Sequence, residues 1–198
     1  MTSPEENLGG RLPLLASNDL TSDQHKLYSQ LKATMVPWAK KSGFQAETAD
    51  EKLIGPFNAM LRSPAISQAL MGVTAAEGTH TALSEKVRQV IILTVGAVWN
   101  AAYELYAHIA VGRKAGLDEQ TVQQLAVGRR PEGMSIEEDV AYDFTHQLAT
   151  THQIDAVLYE RALVAFGEKG IVDMIALAGQ YMTISGVLNT FAVPAPSH

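Results

Sequence analysis

The sequence predicts an all-α fold in a single domain, and three observations predict it. Apolar residues recur at helical spacing through most of the chain, helix caps and glycine or proline stops punctuate it, and no stretch alternates strictly between apolar and polar residues. The chain has 198 residues, 46% hydrophobic and 18% charged, a globular composition with enough length for one substantial core. A formal charge of −6 with 15 scattered Lys and Arg argues against a nucleic-acid surface. No apolar run approaches the roughly 18–20 residues of a membrane span, and Met1 to Gly10 lacks the basic start and apolar run of a signal peptide. The expected partner is therefore a small molecule, with no nucleic acid and no membrane, and a cytoplasmic location is the simplest reading. There is no cysteine. Disulfides, thiolate nucleophiles, Cys-ligated zinc and iron–sulfur clusters are thereby excluded.

Residues 1–19 read as a flexible N-terminal segment, broken by Gly9-Gly10 and Pro13, before a helical domain over 20–193 and a tail over 194–198. Thr21 and Gln24 form a capping box that starts a helix from Ser22 to about Trp38, which Pro37 kinks or ends. Leu53 to Leu61 carries a Gly55-Pro56 break and reads as a loop turning into a short helix. Ser63-Pro64 supplies an N-cap and a first-turn proline for a helix to roughly Val73, with Ala75 to Thr81 as a polar connector holding His80. Ser84 caps the next helix, whose buried side is Val87, Val90, Ile91, Thr94 and Val95. A break at Gly96 to Trp99 precedes the central helix, which Gly116 ends. Asp118 caps a short helix, Ser135 and Glu138 make a second capping box for Ile136 to about Ala149, and Asp155 caps a helix through Phe166. Gly167 to Gly170 reads as a break before a long apolar helix from Ile171 to about Phe191.

The central helix, Trp99 to Leu117, is the one that needs explaining. At 100° per residue, Ala101, Glu104, Leu105, His108, Gly112 and Ala115 share one face, and Tyr103, Tyr106, Ala107 and Ala110 lie on the opposite one. Both sides read as buried, so a carboxylate and an imidazole one turn apart, at i and i+4, sit inside the protein. Burial raises the pKa of Glu104 and lowers that of His108, while their mutual attraction works the other way and couples their titration. A pair so placed can move a proton at neutral pH. The same pair has a structural reading, in which it only satisfies itself inside a bundle or reaches a neighbouring subunit.

The chain resembles the carboxymuconolactone decarboxylase family, within the alkylhydroperoxidase D-like superfamily. The resemblance rests on Gly55-Pro56-Phe57-Asn58, Arg62-Ser63-Pro64, Leu83-Ser84-Glu85-Lys86, Tyr103-Glu104-Leu105-Tyr106-Ala107-His108, Ala115-Gly116-Leu117, Tyr181-Met182-Thr183 and Leu188-Asn189, in that order. Peroxidase-type members carry Cys-x-x-Cys, a histidine four residues on, and a glutamate twelve residues before the first cysteine. Here those positions hold Ala101, Glu104, His108 and Gln89. Only the histidine is kept, so thiol-based peroxide reduction is excluded. The cysteine-less branch with Tyr-Glu-x-x-x-His is the closer match.

The resemblance implies an alkylhydroperoxidase D-like helical bundle and a cofactor-free lyase acting on a small carboxylated lactone or unsaturated acid. In it Glu104 and His108 are the acid–base pair, with His108 the proton donor and Glu104 its orienter and charge partner, or with the two roles exchanged. Tyr103, Gln89, Phe57 and Asn58 complete the expected site as substrate-binding residues, with no metal. Subunits of the family associate as trimers or hexamers, and the two-sided apolar helix independently points to a homo-oligomer. The competing reading is a non-catalytic ligand-binding or scaffold protein that keeps the fold. His146 and His152 are six apart and do not share a helix face, which argues against a helical metal pair. Trp38, Phe57 and Tyr181 could wall a pocket or simply be core, and Arg62 could meet a substrate carboxylate or lie on the surface.

Overall fold

The computed structural model describes residues 8–197. Among these it contains eight α-helices and no β-strand, apart from an isolated bridge between Glu47 and Leu53. The helices are α1 (Ser22–Ser42), α2 (Pro56–Met60), α3 (Pro64–His80), α4 (Glu85–Val98), α5 (Ala102–Ala115), α6 (Glu119–Ala126), α7 (Ile136–Thr151) and α8 (Ala156–Thr190).

The caps read from the sequence do start helices. Thr21 and Ser135 form complete capping boxes, and the side chains of Ser84, Asp118 and Asp155 accept N–H bonds from Val87, Thr121 and Leu158. Four boundaries differ from expectation. Helix α1 runs through Pro37 to Ser42: the proline removes the donor that Ala33 would have used, but Leu31 and Ala39 anchor both sides of it in the core, and Gly43 (φ 92°) is the actual stop. Helix α3 continues to His80, because Ala75-Ala76 favours helix over connector and Thr79 Oγ1 donates back to the Ala75 carbonyl. Ser63 makes no side-chain cap there. The break before α5 falls at Trp99 to Ala101, where Asn100 (φ 50°) adopts the left-handed conformation, not at Gly96. The expected break at Gly167 to Gly170 narrows to Gly167 alone (φ 64°, ψ 177°), a kink inside α8.

Two apolar clusters organise these helices. One gathers Val90, Ile91 and Leu93 of α4, Val122 and Leu125 of α6, Phe144 of α7 and Met174 and Leu177 of α8. The other gathers Leu27 and Leu31 of α1, Phe57 of α2, Tyr103, Ala107 and Val111 of α5, and Leu188 near the end of α8. Leu105 and Ile109 of α5 pack on the first cluster while its other side belongs to the second. Helix α5 is thus a partition between two cores, which is why it has so little solvent face. Gly96 lets α4 lie close against it: a Cβ there would stand 3.1 Å from Leu105 and 3.5 Å from Glu104.

Within the expected flexible start, residues 1–7 fall outside the description, and so does His198 of the expected tail. Residues 8–20 are packed rather than loose. Leu8, Leu14, Leu15 and Leu20 lie against the second cluster, and the Arg11 N–H donates to the Phe191 carbonyl over 2.6 Å. Five leucines in thirteen residues, four of them against this cluster, supply apolar surface worth burying without any helical period.

Candidate functional site

Glu104 and His108 are both 4% exposed. They border a cavity of about 50 Å³ between α1, α2, α3, α5 and α8, walled by Trp38, Phe57, Met71, Tyr103, Gln180 and Tyr181, among others. That is space for roughly three or four waters, or a small group of similar size. Neither lysine nor arginine lines it. The Trp38 and Tyr181 rings flank the imidazole, with centroids 6.3 Å and 5.1 Å from it, the tyrosine edge-on at 87°.

The carboxyl Oε1 of Glu104 approaches His108 Nε2 to 3.2 Å. The approach is not aligned as a hydrogen bond, so Oε1 has no hydrogen-bond partner although it is fully buried. A buried polar atom without a partner at the wall of a cavity has capacity to bind whatever enters. The far side of the imidazole is engaged: His108 Nδ1 and Gln89 Oε1 are 2.8 Å apart in a buried contact.

Burial dominates the titration of both groups. It pushes the Glu104 carboxyl up to about 8. It pushes His108 down to about 3, and the nearby Arg88 guanidinium adds to that shift. Desolvation therefore prevails over the mutual attraction weighed in the sequence, and at neutral pH the pair is an uncharged carboxylic acid beside an uncharged imidazole. Burial also raises the Tyr103 and Tyr181 phenols, so neither is an acid or base near neutrality.

Of the four other expected site residues, the structure brings Tyr103 and Phe57 to the cavity wall. Tyr103 presents ring rather than hydroxyl, since its O–H donates to the Gln45 carbonyl. Gln89 does not line the cavity but stands behind the histidine. Asn58 is not a wall residue either. Its amide N–H donates to the Pro13 carbonyl, and its oxygen accepts from Leu15 N–H and Arg62, so it fastens the N-terminal segment. Arg62 donates to the Asn58 and Pro13 carbonyls as well and never reaches the cavity. Trp38 and Tyr181, equally readable as core, are wall residues.

The sequence reading missed Thr74 and Gln180, which close the cavity with a mutual hydrogen bond. It also missed the buried pair of Arg88 with Glu77, in which Arg88 Nε donates to Glu77 Oε1 over 3.0 Å. Thr74 and Gln180 lie 106 residues apart, beyond any local motif, and Arg88 and Glu77 lie on different helices, although a charged residue on the inner side of an apolar helix was a usable signal for Glu77. Among the described residues no group of three His, Asp or Glu is arranged to hold a metal ion.

The α3–α7 region that contains this pair can be placed among known proteins. Its sequence matches the family model described as carboxymuconolactone decarboxylase over residues 64–147. The match takes in the Glu104–His108 helix and Gln89, while the α1, α2 and α8 walls of the cavity lie outside it.

Solved structures share the fold well beyond that region. An uncharacterised peroxidase-related protein from Silicibacter sp. TM1040 superposes with a TM-score of 0.73 at 19% identity, over 98% of this chain and 95% of that one. The alkylhydroperoxidase AhpD core of a peroxidase-related protein from Ralstonia eutropha JMP134 gives 0.71 at 16% identity, over 93% and 91%. A Cys-to-Ala variant of the debrominase Bmp8, in complex with 2,3,4-tribromopyrrole, gives 0.70 at 12% identity, over 92% and 89%. At these identities the likeness establishes the alkylhydroperoxidase D-like fold. No curated protein matches the chain significantly in sequence.

Proposed function

We propose that this protein is a cofactor-free acid–base enzyme of the decarboxylase type, acting on a small unsaturated lactone or acid, with Glu104 as the proton donor. The observation that carries the reading is the neutral, buried Glu104 carboxyl, with a partnerless oxygen at the wall of an apolar cavity. The sequence reading put His108 first as the donor, with the exchanged roles as the alternative; this protonation pattern favours the exchange, with Glu104 as the donor.

The chemistry asks for little more. A substrate carboxylate entering a cavity without a cation loses its hydration and gains no counter-ion, which makes it costly to hold. When the carbon–carbon bond breaks, the electron pair moves into the unsaturated system and carbon dioxide leaves, so the charge spreads over several atoms. The Glu104 O–H then delivers its proton to the carbanionic carbon, leaving a carboxylate that is reprotonated from solvent. His108 stands beside that oxygen as an uncharged neighbour. The small ring bound by the structurally similar debrominase supports a compact unsaturated molecule as ligand; a lactone acid is larger than the cavity of about 50 Å³, so the flexible Met35, Met60 and Met71 side chains that line it must shift to admit one.

The test is carbon dioxide release from a panel of small unsaturated lactone acids by the wild type, Glu104→Gln and His108→Gln. Removal of a positioned general acid is expected to lower kcat/KM by about 10²–10⁴-fold in Glu104→Gln. Undiminished turnover in that variant would remove Glu104 from the role. Absence of turnover and of thermal stabilisation by every compound would favour the non-catalytic reading.

A further inference from the structure

We infer that Gln89 is the positioning residue of the site: its amide oxygen fixes His108 as the Nδ1–H tautomer and so keeps the proton of the pair on Glu104. The inference rests on the acid–base reading of the Glu104–His108 pair, but it concerns where a proton sits and can be tested without a substrate.

Gln89 lies on α4, buried, on the side of the imidazole away from the cavity, with Oε1 2.8 Å from Nδ1. An amide oxygen only accepts hydrogen bonds, so the contact requires a proton on Nδ1. A neutral imidazole carries one such proton, and Nε2 is therefore a bare lone pair, 3.2 Å from Glu104 Oε1. A bare nitrogen is repelled by a carboxylate and is compatible with a carboxylic O–H. In the opposite tautomer Nε2 would carry the positive end of an N–H dipole 3.2 Å from the same oxygen, unaligned as a hydrogen bond but favouring the ionised acid. The choice made at Nδ1 thus decides which form of Glu104 is comfortable 3.2 Å beyond the other ring nitrogen.

The surroundings leave that choice to Gln89. On α4, Arg88 is a charge that bears on the ring, and it is held by Glu77 of α3 and Glu85 of its own helix while opposing protonation of His108. On α8 the group facing the pair is the Tyr181 phenol, and on α5 the Tyr103 phenol stands nearby. Helices α1 and α2 contribute to the wall only Met35, Trp38, Pro56, Phe57 and Met60, none of which titrates. Gln89 alone among these makes a hydrogen bond to the ring.

The experiment is nitrogen-15 NMR of the histidine-labelled protein, with the His108 signals assigned by their loss in His108→Gln. The wild type is expected to show a pyrrole-type Nδ1 and a pyridine-type Nε2. Gln89→Met removes the acceptor at similar volume. It is expected to shift the ring toward the Nε2–H tautomer and to lower the midpoint of the Glu104 side-chain carbon-13 titration by about one pH unit, a tenfold change in its ionisation constant. Gln89→Glu keeps an acceptor at Nδ1 and is expected to retain the wild-type tautomer, which a merely space-filling role would not require. A pyridine-type Nδ1 in the wild type overturns the inference, even if neither Gln89 variant folds. So does a Gln89→Met protein with unchanged tautomer and titration. If these spectral results hold but no substrate is turned over, the positioning role stands and the decarboxylase reading fails.

Discussion

Replacing Glu104 with glutamine should change how the stability of the protein depends on pH, by an amount set by its burial. The carboxyl titrates near 4.5 in an unfolded chain and at about 8 in the fold. Below pH 4.5 it is neutral in both states. Between 4.5 and 8 the unfolded chain gives up a proton that the folded protein keeps, so stability falls by about 1.36 kcal/mol per pH unit, and the loss is complete above 8. His108 has the opposite sign, because its value drops from 6.5 to about 3 on folding. Its contribution is intact above 6.5 and is lost as the pH falls toward 3. The two slopes cancel between 4.5 and 6.5. The pair alone then gives a plateau there, with losses of about 2 kcal/mol on each side, toward pH 8 and toward pH 3.

Glu104→Gln removes the alkaline loss and leaves the acidic one. Because other titrating groups are common to both proteins, the informative quantity is the stability of the variant minus that of the wild type. It should move in favour of the variant by up to about 4 kcal/mol between pH 5 and pH 8. Urea unfolding at a fixed protein concentration and several pH values measures it. Parallel profiles for the two proteins would refute the argument. They would mean that Glu104 is ionised in the folded state, held by an imidazolium, and is not an acid at neutral pH.

Two further outcomes concern packing and assembly. Gly55→Ala should cost about 2–4 kcal/mol, read as a lowered thermal midpoint, because a Cβ there would stand 2.3 Å from the Tyr103 ring at a backbone φ of 63°. A trimer or hexamer is the expected state in light scattering. Ile66 on α3 and Val172 on α8 are 65% and 63% exposed, and Val73 and Ile175 add to the uncovered apolar surface of the same helices. Ile175→Lys should dissociate the assembly, and a monomeric wild type would contradict the expectation.

The parts of the fold that the sequence disclosed are those governed by local chemistry. A capping side chain three residues from its donor, as at Thr21, Ser84, Asp118, Ser135 and Asp155, is decided within one turn and can be read directly. Helix ends that depend on distant contacts were not so readable. Pro37 looks like a stop until Ala39 is seen buried beyond it, and Ala75 to Thr81 looks like a connector until Glu77 is seen paired with Arg88 on another helix. Helical periodicity likewise put Glu104 and His108 on one buried face, but it could not say whether Asn58 or Trp38 would stand opposite them.

The protonation of the pair depends on that same non-local information. From spacing alone, attraction between an anion and a cation one turn apart competes with desolvation, and neither sign of shift is privileged. Desolvation wins here because α1, α2 and α8, remote from α5 in sequence, cover the pair with aromatic and thioether groups and bring no cation into the cavity. The position that could have supplied a negative partner to the imidazole holds Gln89, which accepts a proton's hydrogen bond without attracting the charge of an imidazolium. A helix without a thiol is thereby left with a carboxyl as its acid, and the neutrality of its surroundings keeps the proton there.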